Sequence, residues 1–455
     1  MADFAAMVDA QRKYFDSQAT KPYEFRREQL KKLQGWMTKN EQAILDALHE
    51  DLGKSDYEGY LTEVAMVKQE LADALKHLRG WMKPKRARTA MGQLPGTCRV
   101  LSEPYGVVLI MSPWNYPFQL TLAPLVGALA AGNCAIVKPS AYSPATSGLI
   151  RRMAEELFPP ELVKVVEGGR TENAALLEEH FDYIFFTGSP AVGRLVMEKA
   201  SRHLTPVSLE LGGKSPVIVE KSADVALTAR RLAWGKCLNA GQTCVAPDYV
   251  LVDRSREQEL IEALIGEIRR MYTSAPLASE DLPKIVNQRH FQRLVGLLSS
   301  GSVAFGAQID PAERKISPTI LTDVEWDSPV MQEEIFGPIL PILTYRNLDE
   351  AIQRIRQRPR PLALYLFTRD KAVEDKVLGS VSFGGGCVND TVLHLATCHM
   401  PFGGVGESGM GGYHGPWSFR TFSHEKSILK RWAKPDIALR YAPFRGKMGK
   451  LKKLI

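Results

Sequence analysis

The run Asn239-Ala240-Gly241-Gln242-Thr243-Cys244 puts a thiol on a polar, glycine-bearing turn between a helix-like and a strand-like segment. A side chain there can face a cleft. A thiol with the ordinary pKa of about 8.5 attacks well at neutral pH only where its surroundings favour the thiolate. Cys134 in GNCAIV and Cys237 in WGKCLN sit in apolar or neutral runs and read as buried, inert thiols. A cysteine nucleophile usually works with a base. The histidines are scattered, and His394 and His399 flank Cys398 without ligand spacing, so they read as structural. Glu210, in LELGGK, closes an apolar run just before Gly212-Gly213. Partial desolvation at such a strand end raises a carboxylate's pKa towards that of a useful general base.

Two glycine patterns could hold phosphate. Phe185–Gly193 (FFTGSPAVG) follows a strand-like run and leads into the helix-like RLVMEKA. The unpaired N–H groups and positive helix end of such a unit suit a pyrophosphate, although an ordinary βα turn has the same pattern. Gly188 and Gly193 have the spacing of a nucleotide-triphosphatase loop, but Arg194-Leu195 replaces the required Lys-Ser/Thr. The literal GxGxxG of Gly404 to Gly409 follows Pro401-Phe402-Gly403, not a strand, and no helix pattern follows it. It reads as a flexible glycine loop.

The elements that must position these residues differ along the chain. MADFAAMVDAQRKYF has Phe4, Met7, Val8 and Phe15 at near-helical spacing among charges, which predicts an amphipathic helix and not a signal peptide. The helical pattern continues through about residue 80, with Ile44, Leu45, Leu48 and Leu52 forming one stripe. Residues 83–96 are basic and aperiodic and read as a connector or exposed arm. Then come short apolar runs ended by turn residues, GVVLIMSP, CAIVKPS, VKVVEGG and DYIFFTGS, separated by helix-length segments. That alternation predicts a doubly wound parallel sheet, with ligands beyond the carboxyl ends of its strands. Residues 120–137 imitate a membrane span, but Pro124 and Gly132-Asn133 predict a buried helix, a turn and a buried strand. A second alternating region follows Glu210, giving two α/β lobes.

At about 150 residues per domain, 455 residues suit two or three domains. The net charge of +7 is mild. Arg440, Arg445, Lys447, Lys450, Lys452 and Lys453 supply nearly all of it, with no acid after residue 440. The near-neutral remainder argues against a nucleic-acid partner. Six cysteines without a CxxC pair predict neither a disulfide framework nor a metal site. The expectation is a soluble, cytoplasmic enzyme. Its tail is solvated, rests on a partner subunit or lies weakly on an anionic membrane surface.

PWNYP (113–117), VKPS (137–140), FTGSPAVG (186–193), LELGGK (209–214), GQTC (241–244), EEIFGP (333–338) and PFGGVGESGMGGYHG (401–415) together resemble the aldehyde dehydrogenase superfamily. GQTCVAPDY, FGGGCVND and the short N-terminus resemble its class 3 branch, usually dimeric and active on medium-chain and aromatic aldehydes. The resemblance implies NAD(P)-dependent oxidation of an aldehyde to its acid. Cys244 would be the nucleophile, Glu210 the activator of water, and Asn115 with the Cys244 N–H the oxyanion donors. Lys138 and Ser140 would meet the adenosine ribose. Gly188, Ser189 and Gly193 would lie under the pyrophosphate, and Glu334 and Phe336 at the nicotinamide ribose. Glu333 would be a solvated neighbour and Asn389 a brace for the active-site loop. Tyr116, Trp234 and Phe402 would line the aldehyde tunnel, with ordinary core packing as the other reading. Ala141 stands where many members carry a glutamate that disfavours NADP. A Rossmann-like dinucleotide-binding domain is implied over residues 1–84 and 100–208, and a catalytic thiol domain over 209–400. Bridging or oligomerisation segments and the tail are implied over 85–99 and 401–455. The alternatives are a scaffold kept only for binding or structure, as in related lens crystallins, and an enzyme passing its thioester to an acceptor other than water. The presence of Cys244, Glu210 and Asn115 together opposes the first, and Glu210 opposes the second.

Overall fold

The runs VVLIM, CAIVK and YIFFTG become the strands Val107–Met111, Cys134–Lys138 and Tyr183–Gly188, buried along nearly their whole length. Apolar residues on both faces of a strand require cover on both sides. In the computed structural model, which describes residues 3–452, that cover is helical. One six-stranded sheet runs Gly409–Met410, Val207–Leu211, Tyr183–Gly188, Val107–Met111, Cys134–Lys138, Val163–Val165 from edge to edge. All its neighbours are parallel except Gly409–Met410, which is antiparallel to Val207–Leu211. The chain order reverses between Val107–Met111 and Tyr183–Gly188, and such a switch point opens a crevice at the carboxyl strand ends.

A second, seven-stranded sheet runs Ser302–Phe305, Thr319–Thr322, Ile339–Tyr345, Tyr249–Asp253, Pro216–Val219, Ala363–Phe367, Gly385–Val388. Its pairs are parallel apart from the first. The fold is thus α/β with two doubly wound lobes. The strand Val207–Leu211 belongs to the first sheet and runs across the expected division at 208/209.

The helical stripe Ile44, Leu45, Leu48 and Leu52 is buried, as are Phe4 and Val8 of the first helix, Phe4–Asp16. Every residue of the helix Gln119–Ala131 is buried, Gly132 ends it at φ +93°, and the strand Cys134–Lys138 follows. Among the described residues no helix is long and apolar enough to cross a membrane. The connector expected at residues 83–96 is corrected in part. Lys85–Ala87 pairs with Gly96–Pro104, which also pairs with Ser423–Arg431, forming a three-stranded sheet. An exposed edge strand is held by backbone pairing and needs no apolar periodicity, so the arm's composition concealed it.

Candidate active site

The helix Val225–Cys237 ends in a tight turn where Asn239 and Ala240 have φ +50° and Gly241 has φ +73°. Left-handed backbone at non-glycine residues is costly and persists only where surrounding contacts enforce it. Here they do. Glu58 Oε1 accepts from the Asn239 N–H at 2.8 Å. Asn239 Nδ2 donates to the carbonyls of Asn115 (2.8 Å) and Gln242 (3.2 Å). Gln242 Nε2 donates to the carbonyls of Asn239 and Lys284, each at 3.1 Å, and Gln242 Oε1 accepts from the Val286 N–H at 3.0 Å. The polar residues before Cys244 are therefore spent on holding its turn.

Asn115 follows the carboxyl end of Val107–Met111 and is buried. Its Nδ2 donates to the Gln242 carbonyl at 3.0 Å, which leaves one N–H of that amide for another acceptor. The Tyr116 hydroxyl shares a 2.6 Å hydrogen bond with Thr243 Oγ1. Asn115 and Tyr116 are thus joined across the two lobes to the turn that carries Cys244.

Burial above all, then the carboxylates of Glu334 and Glu210, push the Cys244 thiol up; the N–H groups of Cys244 and Val245 oppose them. These surroundings favour the protonated thiol. Glu210 lies on Val207–Leu211, and neither of its carboxylate oxygens has a hydrogen-bond partner among the described residues. Burial raises its pKa well above the ordinary value. The GxGxxG segment, Gly404 to Gly409, packs against this same strand: a Cβ at Gly409 would stand 2.1 Å from the Leu209 carbonyl, and one at Gly404 2.0 Å from that of Ser408. The expectation of a flexible loop is corrected. These glycines allow close backbone approach.

Lys138 ends its strand buried, donating from Nζ to the carbonyls of Pro139 (2.8 Å) and Gly168 (2.6 Å). Burial lowers its pKa to about 8, against the opposing carboxylates of Glu172 and Glu167. Ser140 and the exposed Ala141 follow it. Ser189 caps the helix Pro190–Ser201 by accepting from the Val192 N–H, so Gly188 and Ser189 stand at a helix N-terminus. Gly193 is buried, and a Cβ there would meet Leu211 Cδ2 at 2.7 Å, so its missing side chain serves helix-on-strand packing. Glu334 has one buried, unpartnered oxygen, Oε1, and Thr187 Oγ1 at the end of Tyr183–Gly188 is another such atom. Phe336, at φ +52°, meets Trp114 edge to face at 5.3 Å. Glu333 is exposed.

Tyr116 and Phe402 are buried, Phe402 in an aromatic cluster with His394, Tyr413 and His414. Trp234 is half-buried on the helix that leads into the turn before Cys244. The carboxamide of Asn389 pairs with both main-chain groups of Thr368 at 2.9 Å, and its own carbonyl accepts from Arg231. What it braces is the far ends of Ala363–Phe367 and Gly385–Val388. Sequence reasoning missed Lys54, Glu58 and Glu63, three ionisable residues within a segment read only as helical scaffold: Lys54 meets Asn115, Glu58 meets Asn239, and Glu63 pairs with Lys54. A cluster of ionisable residues around Gly53 was the only signal available.

Residues 1–428 match the family model described as the aldehyde dehydrogenase family. The chain belongs to the aldehyde dehydrogenase family. It is 48% identical over 441 residues to the 4,4'-diaponeurosporen-aldehyde dehydrogenase of Staphylococcus aureus, covering 96% of each chain. It is 47% identical to aldehyde dehydrogenase family 3 member H1 of Arabidopsis thaliana, over 100% of this chain and 95% of that one. Among solved structures, the substrate-bound state of Staphylococcus aureus AldH superposes with a TM-score of 0.98 at 46% identity, covering 100% of this chain and 99% of that one. This aldehyde dehydrogenase is therefore an enzyme that oxidises an aldehyde to an acid, of class 3 type by its relatives.

Proposed function

We propose that the enzyme oxidises medium-chain aliphatic or aromatic aldehydes with NAD or NADP, through a covalent adduct on Cys244. The observation that carries the reading is a half-buried Cys244 thiol within electrostatic reach of two carboxyls, Glu210 and Glu334, whose buried oxygens lack partners among the described residues. Cys244 Sγ attacks the aldehyde carbon while its proton passes to a carboxylate. The carbonyl electron pair moves onto oxygen, where the free N–H of Asn115 Nδ2 and the Cys244 N–H receive it, giving a thiohemiacetal. NAD(P) would supply the hydride acceptor for this carbon, and Cys244 would then hold the acyl group as a thioester. Glu210 takes a proton from water as its oxygen adds to the thioester carbon; collapse expels the thiolate and releases the acid.

The residues present fit such a dinucleotide. Thr187 Oγ1 and Glu334 Oε1 are orphaned polar atoms suited to hydroxyl or amide groups, and the helix N-terminus that Ser189 caps suits a pyrophosphate. Lys138 and Ser140 would hold the adenosine ribose, and Phe336 would pack at the nicotinamide end. The aromatic side chains of Tyr116, Trp234 and Phe402 favour an apolar aldehyde.

We infer a cytoplasmic homodimer without a nucleic-acid partner. The nine-residue edge strand Ser423–Arg431 exposes Ile428 and Leu429, a surface that invites pairing with a second copy. The tail exposes Trp432, Tyr441, Phe444, Met448 and Leu451 among its basic residues, as contact with an anionic membrane would need; its last three residues lie outside the described ones. The functional division is a dinucleotide-binding lobe built on the six-stranded sheet and a thiol lobe built on the seven-stranded one. A panel of aliphatic and aromatic aldehydes, with 4,4'-diaponeurosporen-aldehyde included, tests the whole reading by absorbance of the reduced cofactor. Reduction of NAD or NADP is expected. None with either cofactor overturns it.

A further inference from the structure

Lys54 follows Gly53, which ends the helix Glu41–Leu52 at φ +67° and turns the chain inward. The side chains of Lys54 and Glu63 are both 0% exposed, with Nζ 2.5 Å from Oε1. Lys54 Nζ also donates to the Asn115 carbonyl at 3.0 Å and sits 4.0 Å from the centroid of the Tyr116 ring. Its three N–H bonds thus have a carboxylate, a carbonyl and an aromatic face to meet. Glu63 lies on a π-helical turn, Tyr60–Val64, a distortion that recurs where a helix must present a side chain to a functional site. Its Oε2 accepts from the N–H groups of Phe118 (2.8 Å) and Gln119 (3.1 Å), at the start of the helix Gln119–Ala131. The pair therefore grips residues 115–119 from below. From the other side Asn239 and Gln242 grip the same Asn115.

A buried ion pair is weak evidence of stabilisation, because desolvating both charges costs several kcal/mol and an apolar pair of equal volume often serves as well. An apolar pair could not hold a carbonyl in place. We propose that Lys54, kept in place by Glu63, is a positioning residue for aldehyde oxidation: it fixes the main chain of Asn115 so that the Asn115 amide meets the oxyanion beside Cys244. Lys54 touches no reacting atom and acts through Asn115. The inference rests on the reading of Asn115 as an oxyanion donor.

The test is a double-mutant cycle. Lys54→Met with Glu63→Gln removes both charges together and keeps an acceptor for the Phe118 and Gln119 N–H groups. It should lower kcat by ~10–100-fold, less than the ~100–1,000-fold typical of losing an oxyanion donor outright. Cofactor binding, read by fluorescence titration, and KM for the cofactor should stay within about twofold, because the adenosine and pyrophosphate groups lie elsewhere. In an Asn115→Ala background the same pair should cost less than about twofold, since the group it positions is gone. A role confined to stability would slow both backgrounds equally. Lys54→Met alone, which also removes the donor to the Asn115 carbonyl, stands in through the same cycle if the double variant does not yield folded enzyme. Wild-type kcat in a folded Lys54 variant, or an undiminished loss beside Asn115→Ala, overturns the positioning role. A wild-type kcat in Asn115→Ala itself overturns instead the oxyanion reading on which it rests.

Discussion

The carboxylate of Glu334 lies against the bare backbone of Gly212: a methyl group on Gly212 would stand 2.0 Å from Glu334 Oε2. Glu334 precedes the strand Ile339–Tyr345 of the seven-stranded sheet and Gly212 follows Val207–Leu211 of the six-stranded one, so the contact joins segments of the two sheets. Gly212→Ala should turn Glu334 out of its rotamer at about 0.5–1.5 kcal/mol, which lowers Tm by only a few degrees. Displacing a group by about 1 Å at the chemistry costs up to ~100-fold, so kcat/KM should fall by more than tenfold. Thermal melts beside steady-state kinetics check this. A loss of stability without a larger loss of activity would separate Glu334 from the site.

Cys244→Ser should abolish aldehyde oxidation, because a hydroxyl lacks the nucleophilicity of a thiolate. Glu210→Gln should give one fast burst of reduced cofactor and then stall as the thioester. Stopped-flow absorbance reads both phases. A normal steady state in Glu210→Gln, with the stall appearing in Glu334→Gln, would transfer the role of base to Glu334. Loss of the burst in Glu210→Gln would place its role before acylation.

Burial, then the neighbouring Asp248, push the Glu334 carboxyl up to about 8 from 4.5. Between those values the unfolded chain is ionised at this position while the folded chain holds the proton. The folded state then binds more protons, so this group's contribution to stability falls as pH rises through the window. Glu334→Gln should therefore melt close to the wild type near pH 4 and above it near pH 9. A Tm difference that does not change with pH would exclude the ionisation of Glu334 as the cause.

Ala141 is exposed three residues after the buried Lys138. Without a carboxylate there, neither a ribose anchor nor a repulsion for a 2′-phosphate comes from this position. NADP should be used with kcat/KM within about tenfold of NAD, or about 1.4 kcal/mol in transition-state binding. Ala141→Glu should lower NADP efficiency more than NAD efficiency. A hundredfold preference of the wild type for NAD would mean that another group excludes the phosphate, and Glu167 and Glu172, whose charges act on Lys138, are placed to do so.

Deleting residues 446–455 should reduce co-sedimentation with anionic vesicles, at up to about 1 kcal/mol per basic residue removed from the surface. The helix Met448–Lys452 carries Lys450 and Lys452 beside exposed Met448 and Leu451. Unchanged sedimentation of the truncated enzyme would end the membrane reading and leave a solvated or subunit-bound tail.

Local pattern determined much of this enzyme. Strands such as Val107–Met111 and Tyr183–Gly188 show as apolar runs because both of their faces are covered, and Gly132 shows as the stop of a buried helix because it supplies a left-handed residue there. Cys244 and Glu210 stood out by type and place, at a polar turn and at a strand end. Tertiary structure decided what no spacing encodes. The edge strand Lys85–Ala87 exists only through its partner, and the glycines of the GxGxxG segment are explained only by the backbone they approach. The burial that raises Cys244, Glu210 and Glu334 is likewise a property of the folded chain. Lys54 and Glu63 look from the sequence like the charged face of a helix. They are fully buried because a turn at Gly53 and a π-helical turn at Tyr60–Val64 aim them inward at Asn115, 61 residues from Lys54 along the chain. Periodicity reports which face of an element is apolar; it carries no information about which distant carbonyl a buried charge will meet.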